Sequence, residues 1–150
     1  MKVLFLDIDG VCNSAEWAKA GNSLWHGTSP ELVKLVQRII KETKCDVVLS
    51  STWRLYPEAR AVVKRDVCHF IDCTKDMQAG AKRGVVERGI EVQEWLDRHE
   101  VEQYAILDDD ADFLPGQWLF KTTWEKGITE DIAQAVIDHL TATDRQMLYA

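Results

Sequence analysis

The chain has 150 residues, enough for one domain with a sizeable core, and 25 acidic against 18 basic residues leave a formal charge of −7. That balance argues against a protein held to nucleic acid by a broad phosphate footprint, since such proteins carry a basic face. No apolar stretch approaches the roughly 18 residues of a membrane span, so a single cytoplasmic domain spanning 1–150, with neither membrane segment nor signal peptide, is expected.

Met1 to Leu6 reads as a buried strand that stops at Asp7-Ile8-Asp9-Gly10, where the chain turns. Ser29-Pro30-Glu31 supplies an N-cap, a first-turn proline and a first-turn acid. Leu32, Val33, Val36, Ile39 and Ile40 then recur at helical spacing. Cys45 to Leu49 forms the second strand, ending in Ser50-Ser51-Thr52-Trp53-Arg54, and Pro57 to Lys64 reads as helix. A weaker strand is predicted over Val67 to Ile71, then a loop over 72 to 84 and a helix whose Val92, Trp95 and Leu96 share a face. Tyr104 to Leu107 is a strand that runs into Asp108-Asp109-Asp110 and Asp112. Trp118 to Thr122 is the last strand, and Thr129 caps a closing helix that buries Ile132, Ala135, Val136 and Leu140. Strands alternating with helices imply a mostly parallel sheet with right-handed crossovers. The four cysteines include no Cys-x-x-Cys pair, so reduced thiols are expected.

Two strand ends therefore carry clustered acids. Asp7 and Asp9 share one face of an extended chain, and a turn beginning at Asp9 could bring the second carboxylate back over the first. Asp-Gly is also an ordinary turn signal. Like charges held that close call for a cation or a shared proton, and so do three consecutive aspartates in a packed site. Adjacent parallel strands deliver their C-terminal ends to one edge of an α/β sheet, where ligands bind. Hard oxygen donors with room for water and a phosphate oxygen suit Mg²⁺ better than zinc.

The ordered set of Asp7-x-Asp9-Gly10, the hydroxyls after strand two, a basic residue opening a later helix and Asp108-Asp109 resembles the haloacid dehalogenase (HAD) superfamily over nearly the whole chain. Leu-Asp-Ile-Asp-Gly-Val, Val-Val-Leu-Ser-Ser-Thr-Trp-Arg and Ile-Leu-Asp-Asp-Asp-Ala-Asp are similar to the small HAD domain of Swiss Army Knife RNA repair proteins. The resemblance implies a Rossmann-like three-layer α/β sandwich with a mostly parallel five-stranded sheet. Segments 11–28 and 65–84 are too short for the superfamily's cap domains, which implies an open site.

By the same resemblance Asp7 is the nucleophile that forms an aspartyl phosphate, and Asp9 is the acid and base for the leaving oxygen and the water. Mg²⁺ would be held by Asp7, the Asp9 carbonyl, and Asp109 with Asp108 beside it, the register within the acidic run staying open by one residue. Ser50, with Ser51 as alternate, would hydrogen-bond the phosphoryl group, and Arg54 could add a bidentate contact. The family usually has lysine as the third-motif cation. Here Arg88 opens the right helix and Lys82 lies six residues earlier, with Arg88 favoured.

Trp17, Trp25, Trp53 and Trp124 all fall in segments at the acidic edge, where an exposed indole could stack a base. The plainer reading is that these rings cover the sheet edge and fill the core. The reading is a Mg²⁺-dependent phosphomonoesterase whose partner is a phosphorylated substrate, a nucleotide or nucleic acid end among those it would suit. The competing classes are a receiver-like phosphoacceptor module and a non-catalytic phosphate-binding domain. The receiver pattern needs a phosphorylated acid ending the third strand and a late lysine before proline, neither of which is present.

Overall fold

A computed structural model of the chain describes residues 1–78 and 86–149, the last seven of these as helical backbone only. The sheet has five parallel strands: β1 (Lys2–Leu6), β2 (Asp46–Leu49), β3 (Asp72–Cys73), β4 (Gln103–Asp108) and β5 (Leu119–Lys121). Their spatial order is β3-β2-β1-β4-β5, so the chain starts at the centre, winds outward on one side, and crosses back to build the other. The reversal between β1 and β4 is the switch point at which open α/β sheets bind ligands.

β1 lies between two strands and is covered on both faces, so its apolar residues run without alternation of polarity. Leu4 and Leu6 join the larger core, with Val36 and Ile39 of α2 (Pro30–Thr43), Val62 and Val63 of α3 (Pro57–Asp66), and Val136 and Leu140 of α5 (Glu130–Tyr149). Val3 and Phe5 point to the opposite face, where Val92 and Trp95 of α4 (Arg88–Asp97) meet Val48 and Ile106. The result is a three-layer sandwich with α2, α3 and α5 on one face and α4 on the other.

The helix signals act as expected. The Ser29 hydroxyl accepts from Leu32 N, Pro30 occupies the first turn, and Lys44 closes α2 in the left-handed region at φ 57°. Ala135 of α5, expected in the core, is exposed, and Ala133 is buried on that helix. Two elements also differ from the sequence reading. The strand predicted over Val67 to Ile71 lies beyond that span, at Asp72–Cys73, and is only two residues long, because Val67 and Cys68 cap α3 against Val63 O and the chain joins β2 only at its end. Ala15–Lys19 forms a one-turn helix, α1, with Ser14 as its N-cap. Among the described residues no segment forms a cap domain, and no helix is long and apolar enough to cross a membrane. The cysteines are free, and burial pushes the Cys68 thiol up to about 12 and Cys12 well above its ordinary value, so neither is a thiolate near neutrality.

Candidate active site

Strand register builds the site. Leu6 pairs with Leu49 on one side and Leu107 on the other, so the next residues along the three strands, Asp7, Ser50 and Asp108, stand abreast at the C-terminal edge. The ladder continues one step into them, with Asp7 N donating to Leu107 O (3.0 Å) and Ser50 N donating to Leu6 O (3.0 Å). The chain then turns at once. Val11 N and Cys12 N both return to Ile8 O, and Gly10 takes φ 78°. A Cβ at Gly10 would lie 2.1 Å from Asp109 Oδ2, so glycine here permits both the turn and the approach of the second acidic loop.

Carboxylate oxygens of Asp7, Asp108 and Asp109 fall within 4.8 Å of one another. Both members of the uncertain register thus reach the cluster. Asp110 is exposed, and its carboxylate accepts from Ala111 N instead. Asp108 is fully buried, with Oδ1 accepting from Asp110 N (2.9 Å). Arg88 Nη1 lies 3.3 Å from Asp7 Oδ1 and 3.1 Å from Asp108 Oδ2, which sets the favoured third-motif cation against the Asp7 carboxylate. Lys82, the other candidate, lies outside the described residues. Arg88 is the first residue of α4, and its backbone N–H is capped by Asp112 Oδ2 (3.2 Å) while Gly89 N donates to Asp112 O. Asp112 therefore positions the arginine without joining the cluster.

Asp9 faces away from this group. Asn13 Nδ2 donates to its Oδ1 (2.9 Å) and Trp53 Nε1 to its Oδ2 (3.1 Å), which fixes the carboxyl from two sides. Asn13 also accepts from Gly10 N, tying the turn to the acid it orients. Beside Asp9 opens a cavity of about 290 Å³ lined in part by Trp25, His26, Thr52, Trp53 and Tyr56. Of the four tryptophans expected near the edge, Trp25 and Trp53 line this cavity. The Trp17 ring instead packs against Gly27, and Trp124 accepts from Ala15 N through its carbonyl.

The two serines separate cleanly. Ser51 Oγ caps the 3₁₀ turn Thr52–Leu55 by accepting from Trp53 N (3.1 Å). Ser50 Oγ is buried beside Asp7 with no hydrogen-bond partner among the described residues. A buried hydroxyl without a partner is costly, and a phosphoryl oxygen would satisfy it. Arg54 departs from expectation. Its guanidinium turns inward, donating to Ser50 O, Ser51 O and Thr74 O and pairing with buried Glu91 (2.8 Å). Three main-chain carbonyls and a carboxylate hold it in a bracing role in place of the phosphate contact. Glu91 Oε2 also accepts from Met77 N (3.0 Å), so one acid ties α4 to the loops after β2 and β3.

Burial and the neighbouring Asp108 push the Asp7 carboxyl well above its ordinary value, with Arg88 pulling the other way. Asp108 is raised to about 6, chiefly by burial and against the pull of Arg88. Burial opposes the charge on Arg88, but Asp7 and Asp108 outweigh it and raise its pKa. Three crowded carboxylates around one arginine make an electron-rich site that a hard divalent cation would relieve, and an all-oxygen donor set fits Mg²⁺.

The family model describing the HAD domain in Swiss Army Knife RNA repair proteins matches residues 3–133. The chain belongs to that family. No match was found among curated proteins or solved structures. Membership in a HAD family agrees with the sheet order, the acidic edge and a phosphatase-like function.

For the metal-free HAD domain, the raised Asp108 has a stability consequence. The folded chain keeps this proton at pH values where the unfolded chain has lost it, so its contribution is present below 3.8 and lost as pH rises through about 6. Mg²⁺ binding should offset that loss. Its gain in Tm should be larger at about pH 7.5 than at about pH 5, measured by thermal scans with and without saturating MgCl₂. Equal gains at both pH values would count against a carboxylate metal site.

Proposed function

We propose that this HAD domain is a Mg²⁺-dependent phosphomonoesterase working through an aspartyl phosphate. The observation carrying this reading is the placement of Asp7 between the unpartnered Ser50 hydroxyl and the Arg88 guanidinium, with Asp9 separately oriented at the mouth of a cavity. A phosphoryl group at Asp7 would meet a hydroxyl donor on one side and a cation on the other, which is the electrostatic provision that phosphoryl transfer needs.

Asp7 attacks phosphorus, forming a P–O bond as the bond to the substrate's alcohol oxygen breaks, and Asp9 gives that oxygen its proton. Asp9 then takes a proton from water as the water oxygen attacks phosphorus, and the bond to Asp7 breaks to release phosphate. Asn13 and Trp53 hold the Asp9 carboxyl in one orientation, toward the leaving oxygen in the first step and the attacking water in the second. Mg²⁺ held by Asp7, Asp108, Asp109 and the Asp9 carbonyl would supply charge neutralisation for nucleophile and phosphate.

The family's association with RNA repair makes a phosphorylated nucleic acid end or a nucleotide the substrate class to test first. Intact Asp7 and Asp9 speak against a phosphate-binding domain without turnover. The test is phosphate release from an aryl phosphate, glycerol phosphate, mononucleotides, 5′- and 3′-phosphorylated oligonucleotides and phosphopeptides, with Mg²⁺ or with chelator. Mg²⁺-dependent multiple turnover on at least one ester is expected. Stoichiometric labelling without turnover would instead favour the receiver-like reading, and no release from any ester would overturn the proposal.

A further inference from the structure

Trp25 is 79 % exposed, an unusual setting for an indole in a loop whose shape is otherwise specified. His26 holds a left-handed backbone at φ 53°, a conformation that non-glycine residues adopt sparingly. A Cβ at the following Gly27 would lie 1.9 Å from Ser23 O and 2.7 Å from the Trp17 ring, so only glycine lets this turn close. The loop is thus constructed to stack the His26 ring on Trp25 at 4.5 Å and to set it edge-on to Trp53 at 5.7 Å. One face of Trp25 is occupied by His26, and the high exposure leaves the other available.

The cavity below these rings reaches Asp9, the group that meets the leaving oxygen if the phosphatase reading holds. Whatever alcohol the phosphate is attached to would enter this space. At about 290 Å³ it lies at the small end of ligand cavities and suits one ring system with its sugar better than an extended polymer. Its walls also carry hydrogen-bonding side chains, Thr52, His26 and Tyr56. A phenyl ring would desolvate these groups without pairing them, whereas the edge of a nucleobase offers donors and acceptors. With a net charge of −7, the protein gains little from a wide phosphate contact, so stacking is the available source of affinity.

The geometry points to a nucleobase subsite in which the base of the phosphate-bearing nucleotide stacks on the Trp25–His26 pair. This rests on the phosphomonoesterase reading for its role in turnover, but base binding can be measured without turnover. Titrating the full chain with unphosphorylated adenosine should quench indole fluorescence saturably. The quench should be largely lost in Trp25→Ala and retained in Trp118→Ala, whose exposed ring precedes β5 at the other end of that strand. In turnover, Trp25→Ala should lower the kcat/KM ratio of adenosine monophosphate to glycerol phosphate by about 5- to 100-fold, mainly through KM.

No saturable quench with any common nucleoside, or one unchanged in Trp25→Ala, would overturn the subsite. So would a Trp25-dependent preference for phosphotyrosine peptides over nucleotides. Turnover of glycerol phosphate in either case would leave the phosphatase standing. A Trp25-dependent quench in a protein that hydrolyses no ester would remove the phosphatase and keep the subsite.

Discussion

The Asp7→Asn variant is expected to lose phosphate release by about 10³-fold or more, because an amide cannot attack phosphorus to form an acyl phosphate. The fold should tolerate the change. Asp7 is buried and its carboxyl is already pushed toward the neutral form by burial and by Asp108, so a neutral isostere relieves repulsion in the metal-free site. Asp9→Asn should behave differently. Loss of the acid and base should slow turnover by about 10²- to 10⁴-fold. An aryl phosphate, whose leaving group needs little protonation, should still phosphorylate Asp7 in that variant. Steady-state rates for the two variants, with melting curves as controls, separate these roles.

The largest loss of stability is expected from Glu91→Ala. Arg54 would keep its charge in a buried position and lose its only carboxylate partner among the described residues, while Met77 N would lose its acceptor. Removing one member of a buried ion pair costs about 3–5 kcal/mol, which for a domain of this size lowers Tm by roughly 6–20 °C. Glu91→Gln keeps an acceptor oxygen for both donors and should cost only about 1–2 kcal/mol. Urea denaturation of the two variants measures the difference, and equal losses would show that packing, not charge pairing, dominates. Because Arg54 also holds the Ser50 and Ser51 carbonyls, Glu91→Ala should reduce activity beyond what its unfolded fraction explains.

The acidic edge was legible because its information is local. Strand period and glycine position put Asp7, Asp9 and Gly10 at a strand end, and the parallel βα alternation brought Asp108 and Asp109 to the same edge. The helix beginning at Pro30 was legible through its cap, since Ser29 and Pro30 act within one turn. Features decided by long-range contacts were not. Arg54 reads as a phosphate ligand from its position after the serines, yet Glu91, 37 residues away, draws it inward. β3 is short because pairing with β2 decides its extent, not the apolar content of Val67 to Ile71. Asn13 was missed, although an asparagine four residues after Asp9 carried a usable signal, since short amides readily bond back to a preceding turn. Trp53 was visible as an aromatic near the edge, but its indole bond to Asp9 depends on the 3₁₀ turn that Ser51 caps.

The identity of the nucleophile is tested most directly by acid-quenching Asp9→Asn during reaction with an aryl phosphate and Mg²⁺, then mapping the modified peptide by mass spectrometry. One phosphoryl group is expected on the peptide containing Asp7, lost at alkaline pH as an acyl phosphate should be and absent when Asp7→Asn is added to the same chain. Phosphate found on another residue, or wild-type rates retained by Asp7→Asn alone, would contradict it.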